Sequence, residues 1–92
     1  MAITLDTTIT VPEDIIFREL DGEAVLLNLE TGIYFGLDDV GTRIWQLLDE
    51  HLSLRIVLEC LQTEFDAGPE VLASDLIELA DTLSSKGLIR IA

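Results

Sequence analysis

The chain reads as an α+β fold: a three-stranded antiparallel meander, then three helices, then a short terminal strand. Three observations carry that reading. Between residues 15 and 37 the apolar residues come in short runs, broken by Asp21-Gly22 and Thr31-Gly32, pairs suited to tight hairpin turns. From residue 38 onward the apolar spacing becomes helical, with one buried side per segment. Gly87 then ends the last helical pattern and leads into Leu88-Ile89-Arg90-Ile91, a β-prone tail.

Taken in order, residues 1–14 form an extended N-terminal arm, with Ile3, Leu5, Ile9 and Val11 at odd positions and Thr or Asp between them. That alternation gives the arm one apolar side, and Pro12 ends it. Two readings stand, a loosely attached arm and a paired strand. Residues 15–92 make a single domain. Its strands are Ile15 to Leu20, Ala24 to Leu29 and Ile33 to Leu37, so the first and third are edges. Asp38 or Asp39 caps the first helix, which places Val40, Ile44, Leu47 and Leu48 on its buried side and Trp45 on the flank. Ser53 caps the second, whose buried side carries Leu54, Val57, Leu58, Leu61 and Phe65. The third runs from Pro69, tolerated in a first turn, to Lys86. It has a core stripe of Leu72, Leu76, Leu79 and Leu83, and beside it a milder stripe of Ala73, Ile77, Ala80 and Ser84.

Composition narrows the function. A chain of 92 residues holds one domain that buries about 60–65% of its unfolded surface. With 49% hydrophobic residues it should fold unaided. A formal charge of -13 repels phosphate backbones and anionic lipid surfaces, so neither nucleic acid nor membrane is an expected partner. Cys60 stands alone, which rules out an intrachain disulfide and fits a reducing compartment. No signal-like start and no bilayer-length apolar run is present, so the expectation is a soluble cytoplasmic protein.

Catalytic chemistry is not assembled by the residue types. His51 is the sole histidine, and Cys60 has no companion at metal-ligand spacing. A lone His leaves no alternative base for a Ser/His/Asp or Cys/His set, and no phosphate-cradling glycine loop exists. Asp38-Asp39 is explained by a helix cap. We expect no enzyme, no metal and no cofactor.

The element order resembles a winged helix–turn–helix, whose default role is DNA binding. The third helix, however, displays Glu70, Asp75, Glu78 and Asp81, with only Lys86 at its end, and the chain has five basic residues in all. Repulsive charges outnumber possible phosphate contacts, which disfavours a DNA-binding regulator. The third strand points elsewhere. Ile33-Tyr34-Phe35-Gly36-Leu37 has no charge and no proline, the usual guards of a sheet edge. Such an edge accepts another backbone, either a partner's or, in a dimer, that of a second copy.

The ordered set Val25-Leu26-Leu27-Asn28-Leu29, Thr31-Gly32-Ile33-Tyr34-Phe35, Leu37, Val40-Gly41, Ile44-Trp45-Gln46-Leu47-Leu48, Asp75-Leu76, Leu79, Leu83 and Lys86-Gly87-Leu88-Ile89 resembles the PqqD family. The similarity covers roughly residues 15 to 91. It implies a precursor-peptide recognition element of ribosomal natural-product pathways, a winged helix–turn–helix of three strands and three helices. It further implies that the leader of a precursor peptide adds as a fourth strand beside the third and packs on the third helix. The peptide is then handed to a modifying or leader-cleaving enzyme: a radical SAM protein in pyrroloquinoline quinone synthesis, or a leader peptidase in lasso-peptide pathways. Tyr34 and Trp45 lean the reading towards the lasso-type or general recognition group, with PqqD proper as the alternative.

The candidate peptide site is therefore Thr31, Gly32, Ile33, Tyr34, Phe35 and Gly36 on the strand, with Ala73, Asp75, Leu76, Ile77 and Ala80 on the third helix. The stripe Ala73-Ile77-Ala80 is either the apolar floor of the groove or further core, and arginine at Ile77 would block a floor there. Asp75 and Asp81 either pair with a basic leader residue or simply face solvent. Alternation sends Ile33 and Phe35 one way and Tyr34 the other, without saying which set faces the helices. The expected species is a monomer, with an edge-mediated dimer as the other possibility.

Overall fold

In the computed structural model, which describes residues 3–21 and 23–92, eight elements follow one another. They are β1 (Ile9–Thr10), β2 (Ile15–Leu20), β3 (Glu23–Asn28), β4 (Tyr34–Leu37), α1 (Asp39–His51), α2 (Leu54–Glu64), α3 (Pro69–Ser85) and β5 (Arg90–Ile91). The α+β order matches the expectation, and the three-stranded sheet is β2-β3-β4, antiparallel throughout.

The first hairpin closes between Leu20 and Glu23. Asp21 takes a positive φ of 52°, a conformation Asp tolerates in turns; Gly22, the other half of the expected turn, lies outside the described residues. The second connection is wider than a bare Thr31-Gly32 turn, because Asn28 organises it. The Asn28 N–H donates to the Ile33 carbonyl and its carbonyl accepts from Gly32 N–H, both at 2.8 Å. Its side-chain Oδ1 accepts from the N–H groups of Glu30 and Thr31 at 2.9 and 3.3 Å. Leu29 and Ile33, expected in strands, therefore fall in the loop: Leu29 N–H turns to the Asp14 carbonyl and Ile33 N–H to Thr31 Oγ1.

The N-terminal arm is paired. Ile9 and Thr10 oppose Ile91 and Arg90 in a second, two-stranded sheet. Ile9 N–H also donates to the Leu52 carbonyl, and Ala92 N–H to the Thr8 carbonyl. The arm is thus stitched between the α1–α2 turn and the C-terminus, with Ile3 and Ile9 buried.

The starts of α1 and α2 follow their side-chain caps, whereas α3 begins after Gly68 with none. Asp38 Oδ1 accepts from Gly41 N–H at 2.7 Å. A Cβ on Gly41 would lie 3.0 Å from that oxygen and 3.4 Å from Leu37, so a side chain there would press against the cap. Ser53 Oγ accepts from Ile56 N–H at the start of α2. The end of α3 is a Schellman motif: Leu88 N–H bonds the Leu83 carbonyl and Gly87 N–H that of Ser84. Gly87 adopts φ 73°, a left-handed conformation that only glycine enters without strain.

The core lies between the helices and one face of the sheet, with Leu26, Leu48, Leu54, Leu61, Leu76 and Leu83 fully buried. Two expectations on α1 shift. Trp45, placed on the flank, is 3% exposed, whereas Val40, placed inside, is 37% exposed. The helix packs on both α2 and β4, so its buried arc is wider than one stripe, and its first turn overhangs the sheet edge. Leu79 and Phe65 are only half-buried. No described helix is long and apolar enough to cross a membrane.

Candidate functional site

β4 ends the three-stranded sheet, and no described strand pairs with its outer side. The register settles which groups face outward. Asn28 N–H bonds the Ile33 carbonyl, and pairing then proceeds through Leu27–Tyr34, Leu26–Phe35, Val25–Gly36 and Ala24–Leu37. Hydrogen-bonded and non-hydrogen-bonded pairs alternate in an antiparallel ladder. Phe35 and Leu37 therefore spend their main-chain groups on β3, and Tyr34 and Gly36 present theirs outward.

Opposed residues share a sheet face, so the burial of Leu26 and Ala24 assigns the side chains. Phe35 and Leu37 point to the helices. Tyr34, 72% exposed, and Gly36 lie on the outer face.

Beside this edge runs an open groove of about 420 Å³, between the β4–α1 corner and α3. Phe35, Ile44, Val40 and Leu79 give it an apolar floor; Asp38, Asp75, Glu78 and Thr82 form its rim. Lys86 Nζ stands 5.9 Å from the centroid of the Phe35 ring, within range of a cation–π contact.

Of the residues expected at the site, Phe35 and Asp75 meet in this groove, with the Tyr34–Gly36 edge alongside. Thr31, Gly32 and Ile33 form the loop leading into β4. The helix stripe is placed elsewhere. Leu76 and Ala80 are fully buried core residues with no surface to offer a peptide. Ala73 and Ile77 lie on the opposite flank of α3 from Asp75 and Leu79, as the helical period requires. Ile77 lines a second hollow with Ile3, Ser74, Glu78 and Asp81.

The groove-facing flank of α3 is Asp75, Leu79 and Thr82, spaced i, i+4, i+7, and Lys86 continues that row at the helix C-cap. That spacing is legible in the sequence as the other shoulder of the leucine stripe. What the sequence lacks is a sign of which shoulder meets the sheet.

Cys60 and His51, far from this groove, approach to 3.8 Å between Sγ and Nε2, a proximity the sequence did not suggest. The Glu50 carboxylate lies 3.8 Å from the same Nε2. One ring nitrogen cannot serve both partners of a relay, so the trio does not form the base–orienter geometry of a nucleophile site. Among the described residues no His, Cys, Asp or Glu group of three could hold a metal ion.

Frame and groove together define a class: a small winged-helix-like domain whose sheet ends in a free strand beside a helix-walled cleft. Residues 23–89 match the family model described as coenzyme PQQ synthesis protein D (PqqD), and the chain belongs to the PqqD family. It is 40% identical over 55 residues to the PqqA binding proteins of Xanthomonas campestris pv. campestris (strain B100) and Xanthomonas euvesicatoria pv. vesicatoria (strain 85-10). Those alignments cover 60% of this chain, which thus spans 60% of the length of these curated relatives. Among solved structures, TbiB1 in complex with the TbiA(beta) leader peptide is 34% identical, with a TM-score of 0.78 over 87% of this chain and 93% of that one. Lasso peptide synthetase B1 complexed with the leader peptide shares the fold at 24% identity, with a TM-score of 0.78 over 89% of this chain and 96% of that chain.

Proposed function

We propose that this protein is a non-catalytic module that binds the leader of a ribosomally made precursor peptide by strand addition and presents it to a processing enzyme. The observation that carries this reading is the free outer side of β4 against the Phe35–Leu79 groove. An added strand would meet the outward main-chain groups of Tyr34 and Gly36, and send alternate side chains into the groove.

Energetics require both parts. Four to six backbone hydrogen bonds contribute roughly 0.5–1.5 kcal/mol each, ordering a flexible leader costs about 2–5 kcal/mol, and micromolar affinity needs about 8 kcal/mol. Two or three buried side chains, at about 1.5–3 kcal/mol each, close the gap. The groove floor supplies their contacts.

Tyr34 and Trp45 lean the reading towards a lasso-type or related pathway with a leader peptidase over quinone-cofactor synthesis with a radical SAM enzyme. A DNA-binding role is disfavoured by the acidic α3.

Fluorescence anisotropy with the leader encoded beside this gene tests the proposal. Saturable micromolar binding is expected. No binding to high micromolar concentration, by that leader or any neighbouring one, overturns it.

A further inference from the structure

Resting on that reading, we propose that the groove selects the charge order of its peptide: N to C, a basic residue, an apolar residue two positions on, and an acidic residue two further on. The two ends of the groove carry opposite charge. At the Asp38 end of β4 stand Asp38, Asp75 and Glu78. At the other end, past Leu79 and Thr82 along the helix, stands Lys86, its Nζ 5.9 Å from the Phe35 ring centroid. Among the described residues, none of Asp75, Glu78 and Lys86 is in an ion pair, whereas Arg43 and Arg55 are already held by Glu64 and Asp6. Asp38 spends one oxygen on the Gly41 cap and keeps the other free. Every one of these charges is available to a ligand.

Spacing follows from the two secondary structures. Asp75 on α3 and Lys86 at its C-cap are eleven residues apart, about 16 Å at 1.5 Å per residue. On an added strand, same-face residues four apart span about 13 Å, and long charged side chains bridge the difference. The middle same-face residue falls over Phe35 and Leu79, the apolar floor. Direction follows from the ladder. The sheet is wholly antiparallel, and an antiparallel addition sets the peptide's N-terminal part against the Leu37–Asp38 end. The basic residue therefore comes first.

Panning a random-peptide mRNA-display library on the whole chain, followed by anisotropy on the enriched peptides, tests this. Enrichment of the basic–x–apolar–x–acidic pattern is expected. Exchanging the two charges in such a peptide should weaken binding about tenfold, with the effect shrinking at high salt. The triple variant D75K/E78K/K86E should reverse the preference, and its recovery of binding to the exchanged peptide shows that it is folded. Peptides enriched without charge order, or a triple variant that keeps the original preference or binds neither peptide, overturn the inference while strand addition stands. An absence of any enriched peptide overturns both.

Discussion

The side-chain amide of Asn28 donates to the Gly87 carbonyl at 3.3 Å, joining the β3–β4 loop to the turn after α3 across 59 residues. The same side chain holds the Glu30 and Thr31 N–H groups, so one buried residue sets the exit angle of β4 and ties it to the end of the helix that walls the groove. Asn28→Ala should remove all three bonds and lower stability by about 1–3 kcal/mol. It should also weaken leader binding, because β4 loses its anchor. Urea unfolding of the variant checks the first effect, and an unchanged midpoint would show that water replaces the amide without loss.

The contrast between Asn28 and the helix caps shows where the sequence was legible. Ser53, Asp38 and Gly87 act on their own neighbours, and local hydrogen bonding dictates what each residue type does there. The meander and the three helices were readable for the same reason. Asn28 acts across 59 residues, and the choice between the two shoulders of α3 is made by how the helix rolls against the sheet. Both are tertiary matters that no local pattern encodes. Hence Phe35 and Asp75 were legible at the groove, while Leu79 and Thr82 had to await the packing.

Gly87→Ala isolates a backbone effect. A Cβ there would meet Asn28 Nδ2 at 3.8 Å, an ordinary contact, so only the left-handed φ of 73° opposes the substitution. A loss of about 1 kcal/mol is expected, read from thermal or urea unfolding. A much larger loss would mean that the Asn28 contact is tighter than its geometry implies.

The Glu64–Arg43 pair bears on acid stability. Two hydrogen bonds of 2.6 and 2.8 Å from Arg43 hold the Glu64 carboxyl below the ordinary glutamate value. A carboxyl depressed in the folded state stabilises above its unfolded pKa, and that contribution disappears as pH falls through the folded value. Glu64→Gln should therefore narrow the difference in urea midpoint between neutral pH and pH about 3, relative to the parent chain. Because the pair is exposed, the effect should also shrink in high salt. Identical pH profiles for the two proteins would show that the pair contributes nothing.

Gly36→Pro separates the edge from the ladder. By register, the Gly36 N–H faces away from β3, so proline removes a donor that the domain does not use and a docking strand needs. No heavy atom lies within 4 Å of a Cβ built at this position, so the Cβ side of the ring meets open space. The fold should survive, as far-ultraviolet circular dichroism would report, while leader affinity falls by about tenfold or more. Full-strength binding by a folded Gly36→Pro protein would remove β4 as the docking edge.

A matched pair on α3 decides which shoulder of the helix meets the peptide. Leu79 lines the groove beside Phe35, whereas Ile77 lies on the opposite flank with Ile3. Both are half-buried, so Leu79→Arg and Ile77→Arg disturb the domain to a similar degree. The arginine at 79 occupies the apolar floor and forfeits the burial of a leader side chain, a term of about 1.5–3 kcal/mol or a factor of ten to a hundred in affinity. The arginine at 77 leaves that floor untouched, and its long stem can run out along the hollow toward Asp81. Anisotropy on both variants should show a large loss for Leu79→Arg and a change within about threefold for Ile77→Arg. The reverse ranking would move the peptide to the Ile3 flank, where the paired N-terminal arm would have to give way before any strand could enter.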